Sequence, residues 1–215
     1  MVILNSRVPL KFQVCLILIT NVLLLSCGDS GSGDGEGFSS KIKGEWQRED
    51  CLEKEDVTGS PSFSTSFFAF IDTNVFQFLE TYYNDDNCIS GKEQSVITAE
   101  GTYTISSLLD DETGQNIIFS FNSLAVIAKS EEEAERLNDT SYCQQEWTID
   151  EKTDLLGKTC SFSERELAFP QKGQTVPDII DLRNDVLWLG SKKQRYMVGN
   201  PTAFETESHN RFNKS

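Results

Sequence analysis

Residues 95–105, SVITAEGTYTI, alternate without a break. Ile97, Ala99, Gly101, Tyr103 and Ile105 fall on one side; Val96, Thr98, Glu100, Thr102 and Thr104 fall on the other. A period of two marks an extended strand with one buried face and one wet face. It excludes a helix, whose apolar positions recur every three or four residues. The same period runs through much of the chain. SFSTSFFAFID (62–72) and NVFQFLETYYN (74–84) flank the turn residues Asp72, Thr73 and Asn74, which predicts a hairpin. QNIIFSFNSLAVI (115–127) places Ile117, Phe119 and Phe121 on one side. Shorter strands are expected at 44–51, 143–149, 158–162, 178–183 and 185–191, the last two joined tightly at Asn184, with a final pairing at 210–213. One stretch reads as a helix, SEEEAERLN (130–138). Ser130 and Glu133 have capping-box spacing, and Glu131 and Glu132 suit the positive end of a helix. The charged run reads as a solvated face.

About eight to ten short antiparallel strands with one short helix imply an all-β fold. A closed or half-open barrel satisfies the pattern, and closure removes the edge strands that seed aggregation. The domain spans 38–215, long enough to bury a core. Thirteen of the chain's fourteen phenylalanines lie in that span, and strands 62–72 and 74–84 carry aromatics on both faces. Strand phase nominates Phe76, Phe78, Ile97, Tyr103, Phe119 and Phe121 as the lining of a cavity for a small hydrophobic ligand. The alternative is that the same rings pack against one another and fill the barrel.

The front of the chain is different. Arg7 and Lys11 precede FQVCLILITNVLLL, fourteen residues (12–25) with no charge. As a helix this run is about 21 Å long, short of the roughly 30 Å hydrocarbon core. A basic start, a short apolar run and small residues behind it make a secretory signal, 1–26. Leu24-Leu25-Ser26-Cys27 resembles the bacterial lipobox. The resemblance implies cleavage before Cys27 and diacylglycerol on its thiol, so the protein would meet the membrane through that lipid anchor. Residues 28–37, GDSGSGDGEG, contain no side chain with which to build a core and read, with Cys27, as a flexible acidic tether (27–37). Gly28, rather than Asp, follows the cysteine; by the enteric pattern this implies an outer-membrane lipoprotein of the cell envelope.

Loss of the two signal-peptide cations takes the formal net charge from −15 to −17. Such a surface repels phosphate backbones and excludes nucleic acid as a partner class; a basic protein is the partner it suits. Four cysteines remain in the exported domain, Cys51, Cys88, Cys143 and Cys160, an even number that reads as two disulfides with three possible pairings. Zinc is disfavoured, since there is no Cys-x-x-Cys and the single histidine is His209 in the polar tail. No metal or cofactor is expected. One histidine makes a Ser-His-Asp triad improbable, and Gly-x-Ser-x-Gly is absent. Asp85-Asp86 and Asp110-Asp111-Glu112 fall between strands, where acids are ordinary turn residues. Asn138-Asp139-Thr140 matches a glycosylation sequon without meaning in a bacterial lipoprotein. The protein reads as a non-enzyme and a monomer.

Two stretches carry a resemblance: 44–105, with Gly44-Glu45-Trp46, Cys51 and Tyr82-Tyr83-Asn84-Asp85-Asp86-Asn87-Cys88, and 143–160 followed by DVLWLGS. The Gly-x-Trp opening is similar to that of lipocalin-like (calycin) barrels. The order of these residues resembles the repeated domain of the adenomatosis-polyposis-coli-down-regulated Wnt inhibitors. The resemblance implies an antiparallel barrel with an apolar interior and a lipid-binding role. It also supports pairing Cys51 with Cys88 and Cys143 with Cys160, the latter stapling a local hairpin. It places Trp46 at the closed end of the barrel. Trp188, in DVLWLGS, is expected to pack inward beside it, and Trp147 to pack within the Cys143–Cys160 loop. Two functions follow as expectations: a membrane-anchored barrel that binds an apolar molecule or acyl chain, or a filled barrel that serves as an interaction or envelope-assembly module.

Overall fold

The computed structural model describes residues 33–108, 114–162, 165–190, 196 and 210–215. These residues form eleven strands: β1 (Gly44–Glu55), β2 (Pro61–Asp72), β3 (Val75–Tyr83), β4 (Glu93–Leu108), β5 (Gln115–Ala128), β6 (Lys152–Asp154), β7 (Thr159–Phe162), β8 (Arg165–Ala168), β9 (Thr175–Arg183), β10 (Val186–Leu189) and β11 (Arg211–Lys214). Eight of them, β1 to β5 and β9 to β11, close an antiparallel up-and-down barrel. β4 pairs with β5, β5 with β9, and β11 returns to pair with β1. The expected all-β barrel is therefore the fold, and closure leaves none of those eight strands as an edge.

The hairpins form where the turn chemistry demands them. β2 and β3 pair in register from Phe63–Tyr83 to Phe70–Phe76. Asn184 and Asp185 both adopt left-handed φ, 52° and 60°, which two-residue hairpins of the I′ type require and which Asn and Asp tolerate. On β4, Ile97, Ala99, Gly101 and Tyr103 are buried and Glu100, Thr102 and Thr104 exposed, as the alternation demands.

Among the described residues two α-helices are present rather than one. Helix α1 spans Gly33–Ile42, so residues 33–37, read as tether, form its first half. Its composition does not favour a helix; its C-terminal half is held by the barrel. Ile42 is fully buried, and the Trp46 indole Nε1 donates to the Ile42 carbonyl at 2.6 Å. Tertiary packing overrides the poor intrinsic propensity. Trp46 is thus buried at the start of β1, beside the helix. Trp188 does not join it. Leu187 and Leu189 face inward on β10, and Trp188 lies half-buried on the outer face between the Arg183 and Arg211 guanidinia, 5.7 and 5.9 Å from its ring centre.

Helix α2 covers Glu131–Asp139, with Ser130 as N-cap accepting from the Glu133 amide at 3.1 Å. Its charged run is not wholly solvated. Glu133 is buried and binds Arg136 instead of reaching back to complete a capping box. Residues 143–149 form no strand. Cys143 and Gln144 take left-handed φ in a 3-10 turn (Tyr142–Gln144), and Trp147 is clamped by the Asn138 side chain through both its amide and its carbonyl, each at 2.8 Å. The expected hairpin across the second cysteine pair is consequently absent; β7 pairs with β8. Both disulfides have the expected partners, Cys51–Cys88 and Cys143–Cys160.

Candidate functional site

The barrel interior is divided along its axis. Towards the end that carries α1 it is aromatic. Phe68, Phe76, Phe78, Phe119 and Phe121 point inward and touch: Phe68–Phe78 at 4.6 Å, Phe76–Phe119 at 4.8 Å, Phe76–Phe121 at 5.5 Å between ring centres. All six nominated cavity residues, Phe76, Phe78, Ile97, Tyr103, Phe119 and Phe121, are buried, so strand phase placed them on the correct face. Four of them line the space enclosed by Phe68, Phe76, Phe78, Phe119, Phe121 and Tyr196, which measures about 10 Å³. That is room for one water at most. Ile97 and Tyr103 do not border it. The Tyr103 hydroxyl instead donates to the Asp72 carbonyl at 2.9 Å, and burial pushes its pKa up to about 12.

Towards the other end the interior turns polar. β2 presents Ser62, Ser64 and Ser66 on the same inward face that carries Phe68 and Phe70. Opposite them stands Glu80, wholly buried. Lys54 Nζ donates to its Oε1 at 2.7 Å, Ser66 at 3.0 Å and Ser64 at 3.4 Å; Tyr82 donates to Oε2 at 2.9 Å. The Arg48 guanidinium lies 3.6 Å away and donates to the Ser64 carbonyl and hydroxyl. Burial alone would raise the Glu80 pKa, but the Lys54 and Arg48 charges and the hydrogen bonds outweigh it and hold it at about 2. Burial and the Glu80 charge push the Tyr82 and Tyr196 hydroxyls well above their ordinary range. The group is a locked ionic cluster. Its carboxylate already accepts four hydrogen bonds, so it has little capacity left for proton transfer.

This end is covered from outside. Residues 56–60 turn across it with Val57 fully buried. The Tyr142 hydroxyl donates to the Val57 carbonyl at 2.7 Å, and Arg136 reaches Asp56 at 2.9 Å and Thr58 at 3.2 Å. Sequence reasoning missed this polar half, because each of its members alternates correctly as a strand residue and nothing local marks Ser, Lys, Arg and Glu as meeting inside.

A second concavity lies on the exterior. β5 pairs with β9 only through Ser120 and with β6 only from Ala125. Between the two partners the strand bulges: Phe121 stands opposite Gly101 and Ser123 opposite Glu100, leaving Asn122 as the one β5 residue with no register partner. The inward phase consequently shifts from Phe119 and Phe121 to Leu124, Val126 and Ala128. A cavity of about 480 Å³ opens there, bounded by the bulge, by β6 and by the turn at Gln171–Lys172. The signal was present in the sequence, where the alternation slips by one residue at Asn122.

Among the described residues no group of histidine, cysteine or acidic side chains is arranged to hold a metal, and no helix is long and apolar enough to cross a membrane. Residues 1–32, with the signal run and Cys27, lie outside the described residues, as do Asp110-Asp111-Glu112 and His209. No protein-family model matches the chain, and no curated protein is similar to it.

Proposed function

We propose that this protein is a lipid-anchored lipoprotein of the bacterial cell envelope whose barrel is a filled scaffold that works through its outer surface, as a protein-interaction or assembly module without bond chemistry. One observation carries the reading: the aromatic rings that would line a ligand cavity leave about 10 Å³ between them, whereas an acyl chain requires a pocket of roughly 300 Å³ or more. The Cys51–Cys88 disulfide ties β1 to the loop after β3, and the ion cluster ties β1, β2 and β3 to one another across the interior. The formal charge, −15 for the whole chain and −17 without residues 1–26, suits a basic partner, met as a monomer and with salt-sensitive affinity. The Gly-x-Trp opening and the resemblance to the Wnt-inhibitor domain then describe a shared barrel rather than a shared ligand.

The test is native mass spectrometry of protein purified from the envelope, alongside affinity capture at low and high salt. A ligand-free mass with a salt-sensitive basic partner supports the reading. An added mass of a few hundred daltons that disappears on denaturation would return the barrel to the class of apolar-ligand carriers. Failure of the wild-type protein to incorporate labelled fatty acid, or equal incorporation by a Cys27→Ser protein, would remove the anchor.

A further inference from the structure

The exterior cavity at the β5 bulge combines three features. Its volume, about 480 Å³, falls in the range of small-molecule sites, whereas protein partners dock on flatter surfaces of roughly 800 Å² per side. Its charge is opposite to that of the chain. Lys152 and Lys172 both border it, and neither makes an ion pair with a described residue, although the protein carries 34 acids against 19 Lys and Arg. The one carboxylate on its border, Asp154, accepts the Leu156 amide at 3.1 Å and so is turned in part to the backbone. Its wall also includes Ala125 and Leu156, which give an apolar surface beside the cations.

Two lysines left unneutralised beside an apolar wall, in a chain with a large acid excess, match one ligand chemistry. The geometry points to a binding site for a small organic anion, a carboxylate or phosphate on a short apolar body, with Lys152 and Lys172 holding the anion and the Ala125–Leu156 side receiving the body. Asn122 contributes by its freedom from strand pairing. Bulges commonly occur beside binding sites, where they re-aim a side chain, and here one sets the Asn122 amide at the cavity edge. Gln171 is fixed at the opposite edge, its backbone N–H donating to the Gln174 side chain at 2.9 Å. The site lies on the outer wall, so it functions whether or not the barrel also meets a basic protein.

The experiment is isothermal titration of the full-length protein in detergent with phenyl phosphate and with benzoate. Inorganic phosphate and benzyl alcohol serve as the anion-only and body-only arms. The variants are K152E/K172E, which reverses both cations, S123W, which fills the mouth without changing charge, and K92E, an exposed lysine that does not border the cavity. Saturable binding of at least one aromatic anion is expected, weakened about tenfold or more by K152E/K172E, as the loss of two close attractions requires, and unchanged by K92E. S123W is expected to abolish it, and benzyl alcohol to bind far more weakly than the anions. No saturable binding up to about 10 mM, or an affinity untouched by K152E/K172E and S123W, overturns the proposal. So does benzyl alcohol binding as tightly as phenyl phosphate. Neither result bears on whether the interior is filled, which the mass measurement decides separately.

Discussion

The Glu80 cluster yields a prediction in which charge, burial and pH must agree. Glu80 is wholly buried, Arg48 is 2% exposed and Lys54 is partly covered at 13%. Substituting Glu80→Gln keeps the shape and part of the hydrogen bonding but removes a carboxylate that faces both cations. Breaking a buried pair in this way costs about 3–5 kcal/mol, because the remaining charges stay in low dielectric. The pKa gives an independent magnitude. A fall from the ordinary carboxylate value of 4.5 to about 2 corresponds to about 3 kcal/mol of linkage, at about 1.4 kcal/mol for each tenfold change in acidity. The sign follows from the direction. The folded-state pKa is depressed, so this stability is fully present above pH 4.5 and is lost as pH falls towards 2. Urea denaturation of wild type and E80Q, disulfides intact, at several pH values from 7 to 2 measures both. The gap between the two proteins should be about 3–5 kcal/mol at neutral pH and should close as wild-type Glu80 protonates. A gap below about 0.5 kcal/mol at pH 7, or one that does not change with pH, would refute the reasoning.

Other parts of the barrel give further tests. Gly101→Ala would place a methyl group 2.1 Å from the Ser120 carbonyl and 2.9 Å from the Phe76 ring, so thermal unfolding should show a loss of about 3 kcal/mol or misfolding. Trp46→Phe removes the indole bond to the Ile42 carbonyl and should cost about 1–2 kcal/mol, read by faster proteolysis within 33–42 than in wild type. Opening Cys143–Cys160 as a double serine variant releases a constraint across 17 residues and should cost about 3 kcal/mol in chemical denaturation; the Cys51–Cys88 pair, across 37, should cost nearer 4 kcal/mol. An equal or reversed order of the two would count against the loop-entropy account.

The difference between what was legible and what was not follows the range of the interactions. β2 to β5 could be read because their partners are neighbours in sequence and one face of each is dry; alternation then reports burial directly. The turn at Asn184 was legible for the same local reason. Helix α1 was not, because GDGEG has no helical preference and its order comes from Ile42 and Trp46 meeting the barrel. The strand expected at 143–149 failed because Asn138, nine residues upstream, and the Cys143–Cys160 bond hold that segment in a turn. The polar cluster was the least accessible. Arg48, Lys54, Ser64 and Glu80 come from three strands, and Arg136 reaches Asp56 across 80 residues. A barrel interior that is aromatic at one end and ionic at the other follows from an ordinary alternation in which only residue type changes along the strand. On β2 that change runs Ser62, Ser64, Ser66, Phe68, Phe70, and on β3 it runs Phe76, Phe78, Glu80, Tyr82 in the opposite chain direction. Antiparallel pairing brings the like ends together. Two strands that switch from serine or glutamate to phenylalanine in opposite senses therefore predict a barrel with a divided core, and a core so divided fixes strand register more tightly than a uniformly apolar one. A slip of two residues, which would leave every side chain on its proper face, would set Glu80 against Phe68 or Ser64 instead of Ser66. The first of these places the charge among the rings and the second moves Phe78 towards the serines.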